Sequence, residues 1–234
     1  MIKRNLNITC FSTDFGSQMR FIAGPRQAGK TTLAQSFLEE LFQENLYFNW
    51  DFRETRLAYQ QDTDYYLHAL LNVGSAKNYW FCFDEIHKYP KWKDILKEVY
   101  DKYGQQYHFI ITGSARLDLF RKSGDSLAGR YFLFKLFPLV LNELTNINKP
   151  QADNLSSGWK FIEKRISSAK YLQNDMENLL KFSGFPDPFL AQKENFHNKW
   201  KTTYLDRLIQ EDLREISQVA DLENVSQLIM LLPD

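Results

Sequence analysis

The chain has 234 residues, of which 44% are hydrophobic, 25% are charged and 15% are aromatic, a composition that predicts one large globular domain with a smaller appendage. Because 29 Lys and Arg residues balance 29 Asp and Glu residues, overall charge does not draw the chain to nucleic acid or to a membrane surface, and only a local patch could do so. Two cysteines, no signal-like start and no apolar run long enough to cross a bilayer predict a reduced, cytoplasmic protein without a membrane segment.

The first stretch that carries chemistry is GPRQAGKTT, residues 24–32. Its pattern G-x-x-x-x-G-K-[ST] is typical of a glycine-rich loop whose backbone N–H groups surround phosphates. An apolar run over residues 19–23 precedes it, as a buried strand would, and apolar residues at helical spacing follow from Leu33 to Leu41. The loop therefore lies between a predicted strand and the beginning of a predicted helix, where the helix dipole favours an anion.

Under this interpretation Lys30 reaches the β and γ phosphates of a nucleotide and the Thr31 hydroxyl is a ligand of Mg²⁺. The alternative is a glycine-rich turn with a surface lysine. The predicted nucleotide-binding residues are consecutive: Gly24, Pro25, Arg26, Gln27, Ala28, Gly29, Lys30, Thr31 and Thr32.

Strands and helices alternate along the rest of the first 150 residues. This alternation predicts a parallel sheet covered by helices on both faces, with ligands at the carboxyl ends of the strands. Further strands are predicted over Leu46–Asp51, Tyr79–Phe83, His108–Thr112 and Arg130–Leu136, and helices over Tyr65–Val73 and from Trp92 to Tyr100.

The sequence FCFDEIH places two carboxylates directly after a predicted buried strand. An unpaired carboxylate is costly to bury, so Asp84 is interpreted as a residue that holds Mg²⁺. Glu85, on the other side of an extended backbone, is interpreted as the residue that orients or deprotonates the attacking water. The alternative for the pair is a turn with two solvated acids.

Two hydroxyls and three arginines complete the set of candidates. Thr112 or Ser114, after the next strand, could contact the γ phosphate, and capping of the following turn is the alternative. A negatively charged transition state also favours an arginine. Arg130 is preferred for this role over Arg116 and Arg26, because Gly129 allows close backbone approach, and a surface salt bridge is the alternative.

The composition becomes polar and rich in Pro, Gly and Ser over residues 148–158. The predicted organisation is therefore a nucleotide-binding domain over residues 1–150, a linker and helical region over 151–198, and an incomplete helical C-terminal domain over 199–234.

Taken together, these motifs resemble the prokaryotic AAA-type ATPases that carry a conserved C-terminal domain of unknown function. The resemblance extends over nearly the whole chain and rests on FIAGPRQAGKTTLA, FCFDEIHKYPKWKDILKEVYD, FIITGSARLDLF, SLAGRYF, FPLVLNEL and SGFPDPFL. It implies an α/β fold, the three-layer αβα sandwich of P-loop NTPases with strand order 5-1-4-3-2, followed by a mostly helical segment. It also implies ATP and Mg²⁺ as cofactors. The family roles correspond to Lys30, Thr31, Asp84, Glu85, Thr112, Ser114 and Arg130.

The expected function is a Mg²⁺-dependent ATPase that couples hydrolysis to conformational change. One alternative is an ATP-dependent switch or DNA-associated module with little turnover, and a P-loop kinase is a third candidate, although the sequence shows no clear lid. Members of the family continue past the point where this chain ends, so a DNA or protein partner of the C-terminal region stays open. Oligomerisation also stays open, since a neighbouring subunit often completes such a site.

Overall fold

The structure of the chain is a computed structural model that describes residues 2–73, 78–113, 126–144, 159, 162–163 and 172–209. The chain divides into two compact units, Met1–Tyr171 and Leu172–Asp234. The domain boundary predicted near residue 150 lies outside the described residues, and the predicted domain limits stay a prediction.

The first unit alternates strands with helices, as the sequence predicts. Its elements are α1 (Asn5–Cys10), β1 (Met19–Ala23), α2 (Lys30–Glu40), β2 (Tyr47–Asn49), α3 (Arg53–Gln61), β3 (Trp80–Asp84), α4 (Trp92–Tyr103), β4 (His108–Thr112) and β5 (Tyr131–Lys135). Short 3₁₀ helices cover Thr13–Phe15, Glu44–Leu46, Tyr65–Asn72, Ile86–Lys88 and Leu141–Glu143.

The five strands form one parallel sheet in the order β2-β3-β4-β1-β5. Read from β5 to β2, the order is 5-1-4-3-2, so the predicted strand order is confirmed. The register pairs Ile22 of β1 with Thr112 of β4, and Asp84 of β3 with the same Thr112. The carboxyl ends of β1, β3 and β4 therefore lie side by side, and this end of the strands is called the carboxyl edge of the sheet below.

The sheet separates two hydrophobic clusters because successive strand residues point to opposite faces. On one face Phe21, Phe83 and Phe109 pack with apolar residues of α4. On the other face Ile22, Cys82 and Ile110 pack with apolar residues of α2. Every residue of β1 and of β3 is buried, in keeping with their mostly apolar composition. The buried Arg20 of β1 donates to backbone carbonyl oxygens, including those of Cys10 and Gly16.

The structure differs from the sequence prediction in three helical segments. The helix predicted over Tyr65–Val73 is a 3₁₀ helix, and α1 and α3 were not predicted. Helix α3 has no fully buried residue and α1 buries only Cys10, so each packs on the core through few apolar side chains.

The second unit contains three helices in its described part: α5 (Gln173–Phe182), α6 (Pro186–Ala191) and α7 (Glu194–Arg207). Pro186 is the first residue of α6, where its missing N–H and fixed φ suit a helix start. The Phe185 ring packs 5.0 Å from the Trp200 ring and 4.9 Å from the Tyr204 ring. The rest of the helical C-terminal domain predicted over 199–234, from residue 210 onward, lies outside the described residues. Within the part of the chain that the structure describes, no helix has both the length and the apolarity needed to cross a membrane.

Candidate phosphate-binding site

The glycine-rich loop connects β1 to α2 at the carboxyl edge of the sheet. Gly29 has φ 93° and is the N-cap of α2, so the helix begins at Lys30. Gly24 has φ 155°, and a Cβ atom built on it would lie 3.1 Å from the carbonyl carbon of Leu136 and overlap the carbonyl oxygen. The chain therefore needs glycine at both ends of the loop, for backbone conformation at Gly29 and also for lack of space at Gly24.

The Lys30 side chain folds back against the loop. Its residue is only 7% exposed, and Nζ donates to the carbonyl oxygens of Gly24 at 3.0 Å and Pro25 at 2.8 Å. A positive charge thus lies at the N-terminus of α2, where the helix dipole has the same sign. The two effects together make this loop attractive to an anion.

Thr31 and Asp84 bring the two motifs into contact. The Thr31 hydroxyl donates to Oδ2 of Asp84 at 3.0 Å, although 53 positions separate the residues in the sequence. Asp84 is the last residue of β3, and Thr31 lies in the first turn of α2. The strand order causes this meeting, because β3 ends at the same edge of the sheet as β1.

Asp84 is 2% exposed, and three hydroxyl groups donate to its carboxylate. Besides Thr31, the Thr112 hydroxyl donates to Oδ1, and the Tyr47 hydroxyl donates to Oδ2 at 2.5 Å. These bonds offset the cost of burying the carboxylate. Burial, together with this carboxylate, raises the pKa of Tyr47. Sequence reasoning did not find Tyr47, because it begins β2 and shares no motif with Asp84.

Glu85 lies at the same carboxyl edge of the sheet. Its backbone was predicted to be extended, and that prediction is wrong. Its φ is 58°, in the left-handed region, and its backbone N–H donates to the carbonyl oxygen of Thr112 at 3.0 Å. The carboxylate pairs with Nζ of Lys88 at 3.1 Å, and Lys88 also pairs with Asp51 at 2.6 Å. Burial raises the pKa of Glu85, and Lys88 opposes that effect.

Arg130 lies at the amino end of the strands, opposite to the carboxyl edge. Its carbonyl oxygen accepts from the N–H of Met19, the first residue of β1, and its guanidinium binds the Asp101 carboxylate at 2.8 and 3.0 Å. A five-residue strand separates this end from the loop, a distance of about 13 Å or more. The structure therefore does not bring Arg130 to Lys30 of the same chain. Ser114 and Arg116 lie outside the described residues.

Arg4 contacts the loop from the N-terminal segment, and nothing in the sequence pointed to it. Its Nη1 donates to the carbonyl oxygen of Ala28 at 2.8 Å, its Nε donates to Glu143 at 3.2 Å, and its Nη2 donates to the Phe137 carbonyl oxygen. Since Arg4 is 8% exposed, these bonds satisfy a nearly buried charge. Arg4 ties the N-terminal segment and the segment after β5 to the outer side of the loop.

The donors at this site suit Mg²⁺. Thr31 and Asp84 supply a hydroxyl and a carboxylate, which are the hard oxygen ligands that this ion prefers. Across the described ranges no group of three or more His, Cys, Asp or Glu side chains could hold a metal ion. The site thus fits an ion that is held by few protein groups together with phosphate oxygens.

Comparison with curated proteins finds relatives whose own roles are not characterised. An uncharacterized protein of Methanocaldococcus jannaschii is 24% identical over 92% of this chain and 46% of its own length. An uncharacterized protein of Haemophilus influenzae is 24% identical over 95% of this chain and 52% of its own length. The chain spans about half the length of these relatives.

A structure of the Aeropyrum pernix Orc1 protein in complex with DNA superposes with a TM-score of 0.44 and 14% identity, over 92% of this chain and 63% of that one. A family model described as an AAA domain matches residues 16–145. That match covers more than half of the chain and includes the loop, the acidic pair and all five strands, so the chain belongs to the AAA-type P-loop ATPase family.

Proposed function

We propose that the chain is a Mg²⁺-dependent ATPase that couples hydrolysis to a change of conformation. The observation that carries this proposal is the bond between Thr31 and Asp84 at 3.0 Å, which joins the loop to the acidic pair beside Lys30. A phosphate held at the loop would then lie next to groups suited to hold a metal ion and to Glu85.

Each residue has a role that follows from its position. The loop N–H groups and Lys30 bind the phosphates, and Thr31 and Asp84 would hold Mg²⁺. Glu85 orients the attacking water and accepts its proton. Bound Mg²⁺ supplies positive charge that offsets the charge developing on the phosphate oxygens. Thr112 and Tyr47 act as positioning residues, because their hydroxyls hold the Asp84 carboxylate.

The direct test is phosphate release from ATP by the purified protein. We expect multiple turnovers with Mg²⁺ and loss of turnover after EDTA, with recovery when excess Mg²⁺ is added back. Because Thr31 and Asp84 supply so few ligands, ATP should bind more weakly without the ion. Release of phosphate at the same rate in EDTA would contradict the proposed role of Mg²⁺. Phosphate transfer to an added acceptor, with little free phosphate, would instead favour the kinase.

The position of Arg130 favours a second candidate, a switch that binds ATP but turns it over slowly when alone. Within the described part of the chain, Arg130 lies at the amino end of the strands, whereas Lys30 of the same chain lies at the carboxyl edge. We infer that Arg130 acts on the site of a second copy, which makes turnover dependent on association.

A mixing experiment tests this inference. Arg130→Ala and Lys30→Ala should each be nearly inactive, while their mixture should recover up to about a quarter of wild-type turnover, since one site type in a mixed pair is complete. Turnover per molecule of wild type should also rise with protein concentration.

The matched control replaces Lys135, at the other end of β5, by Ala, which should leave the concentration dependence unchanged. Full activity of Arg130→Ala alone would show that this residue only forms the surface salt bridge with Asp101. Failure of the mixture to recover, with both variants folded, would exclude a shared site.

The C-terminal unit is proposed as the region that contacts a DNA or protein partner. The curated relatives are about twice as long as this chain.

A further inference from the structure

A cleft of about 650 Å³ lies beside the candidate phosphate-binding site. One wall is helix α3, which follows β2, and the other is the segment from Lys88 to Lys91, which follows β3. Both segments start at the carboxyl edge of the sheet. No residue of the loop 24–32 lines the cleft, so it is separate from the place proposed for ATP.

Besides apolar and aromatic residues, the cleft is lined by four basic residues and by no acidic one: Arg53, Arg56, Lys88 and Lys91. Considering only the described residues, Lys88 alone among these forms salt bridges with carboxylates. Arg56 donates through Nη1 to the carbonyl oxygens of Trp50 and Asp51, at 2.6 and 2.7 Å. Since the whole chain has a net charge of zero, this excess of positive charge is local and favours an anionic ligand.

Two aromatic rings lie among these cations. Tyr59 and Tyr89 are half-buried, and their ring centroids are 5.8 Å apart. Cations that follow a phosphate backbone, combined with rings on which bases stack, are the means by which proteins bind single-stranded nucleic acid. Proteins read a double helix by placing an α-helix or a β-ribbon into its major groove, whereas this feature is a concave cleft.

We propose that this cleft binds a single strand of nucleic acid. Arg53, Arg56 and Lys91 contact phosphates, and Tyr59 and Tyr89 support bases. An acidic peptide would satisfy the cations but has no flat base to lie against the two rings, which pack on Trp50 and also line the cleft.

Lys88 connects this cleft to the ATPase site, and this part rests on the proposed function. Lys88 lines the cleft, and its Nζ is 3.1 Å from the Glu85 carboxylate and 2.6 Å from the Asp51 carboxylate. A phosphate that pairs with Lys88 competes with Glu85 for the same ammonium group. Binding of nucleic acid therefore alters the partner of Glu85, and with it the rate of ATP turnover.

The binding test uses a short labelled oligothymidylate and the full chain, without ATP. Fluorescence anisotropy is measured over a range of salt concentrations. The double variant Arg53→Ala/Lys91→Ala should bind about tenfold or more weakly. Its slope of log affinity against log salt should be shallower than that of wild type by about 1.4, since each lost phosphate contact on a single strand contributes about 0.7.

The matched control is Lys97→Ala/Lys102→Ala, which removes the same charge from exposed positions of α4 outside the cleft. It should bind like wild type, and both double variants should keep the thermal unfolding midpoint of wild type. Three results would overturn the proposal: no binding by wild type, equal loss in both double variants, or displacement of the oligothymidylate by oligoglutamate at the same concentration of charge.

A second measurement follows ATP turnover with and without oligothymidylate. The oligonucleotide should change wild-type turnover severalfold and should not change that of Arg53→Ala/Lys91→Ala. Binding without any effect on turnover would contradict the Lys88 connection. Because the anisotropy experiment contains no ATP, failure of the ATPase proposal would not change the result of the binding test.

Discussion

Replacing Glu85 by Gln should lower ATP turnover by about 10²–10⁴-fold while ATP affinity stays close to that of wild type. The amide has nearly the same size as the carboxylate but cannot accept a proton from water. Lys30→Ala should lose turnover together with affinity, because it removes the ammonium group held at the carbonyl oxygens of Gly24 and Pro25.

The two variants are informative as a pair. Affinity is measured by titration with a fluorescent ATP analogue, and turnover by phosphate release at saturating ATP. Lys88→Ala is the control for the ion pair with Glu85, since it removes the salt bridge but keeps the carboxylate. If Glu85→Gln turned over ATP at the wild-type rate, Glu85 would not be the residue that activates water.

Gly24→Ala should lower the free energy of unfolding by about 3 kcal/mol or more and abolish ATP binding. The new methyl group would collide with the carbonyl oxygen of Leu136, which is backbone and cannot rotate away. That segment is fixed in turn, because the N–H of Leu136 donates to the Ala23 carbonyl oxygen at 2.8 Å. Urea denaturation of the full chain measures the change.

Gly129→Ala is the control for conformation without collision. Gly129 has φ 77°, and a Cβ atom there would meet nothing within 4 Å. Its replacement should cost about 1 kcal/mol, the typical cost of a left-handed residue with a side chain. Equal losses of stability in the two variants would show that the space beside Leu136 is not what requires glycine at position 24.

The three central strands β1, β3 and β4 could be predicted from the sequence because nearly all of their residues are buried. Short apolar runs such as YWFCF and HFIIT are typical of strands in a parallel sheet that is covered on both faces. The strand order 5-1-4-3-2 followed from the resemblance, not from these runs. Helix α3 was not predicted, since it has no fully buried residue and packs on the core through Tyr59.

The candidate site was predictable only where its residues share a motif. Lys30 and Thr31 belong to one motif, Asp84 and Glu85 belong to another, and the structure places both at one edge of the sheet. Tyr47 and Arg4 could not be found in this way. Each reaches the site across the fold, Tyr47 from a neighbouring strand and Arg4 from the N-terminal segment.

The kind of chemistry could be inferred from the amino-acid sequence, because a phosphate-binding loop is a local structure formed by consecutive backbone N–H groups and one lysine. The core could be inferred as well, because burial of apolar runs depends on composition and period. The three-dimensional arrangement was needed to see that Arg130 lies at the amino end of the strands, away from its own loop, and that basic residues after β2 and β3 form one cleft. Distances between residues far apart in the chain depend on strand order and register, which no short segment encodes.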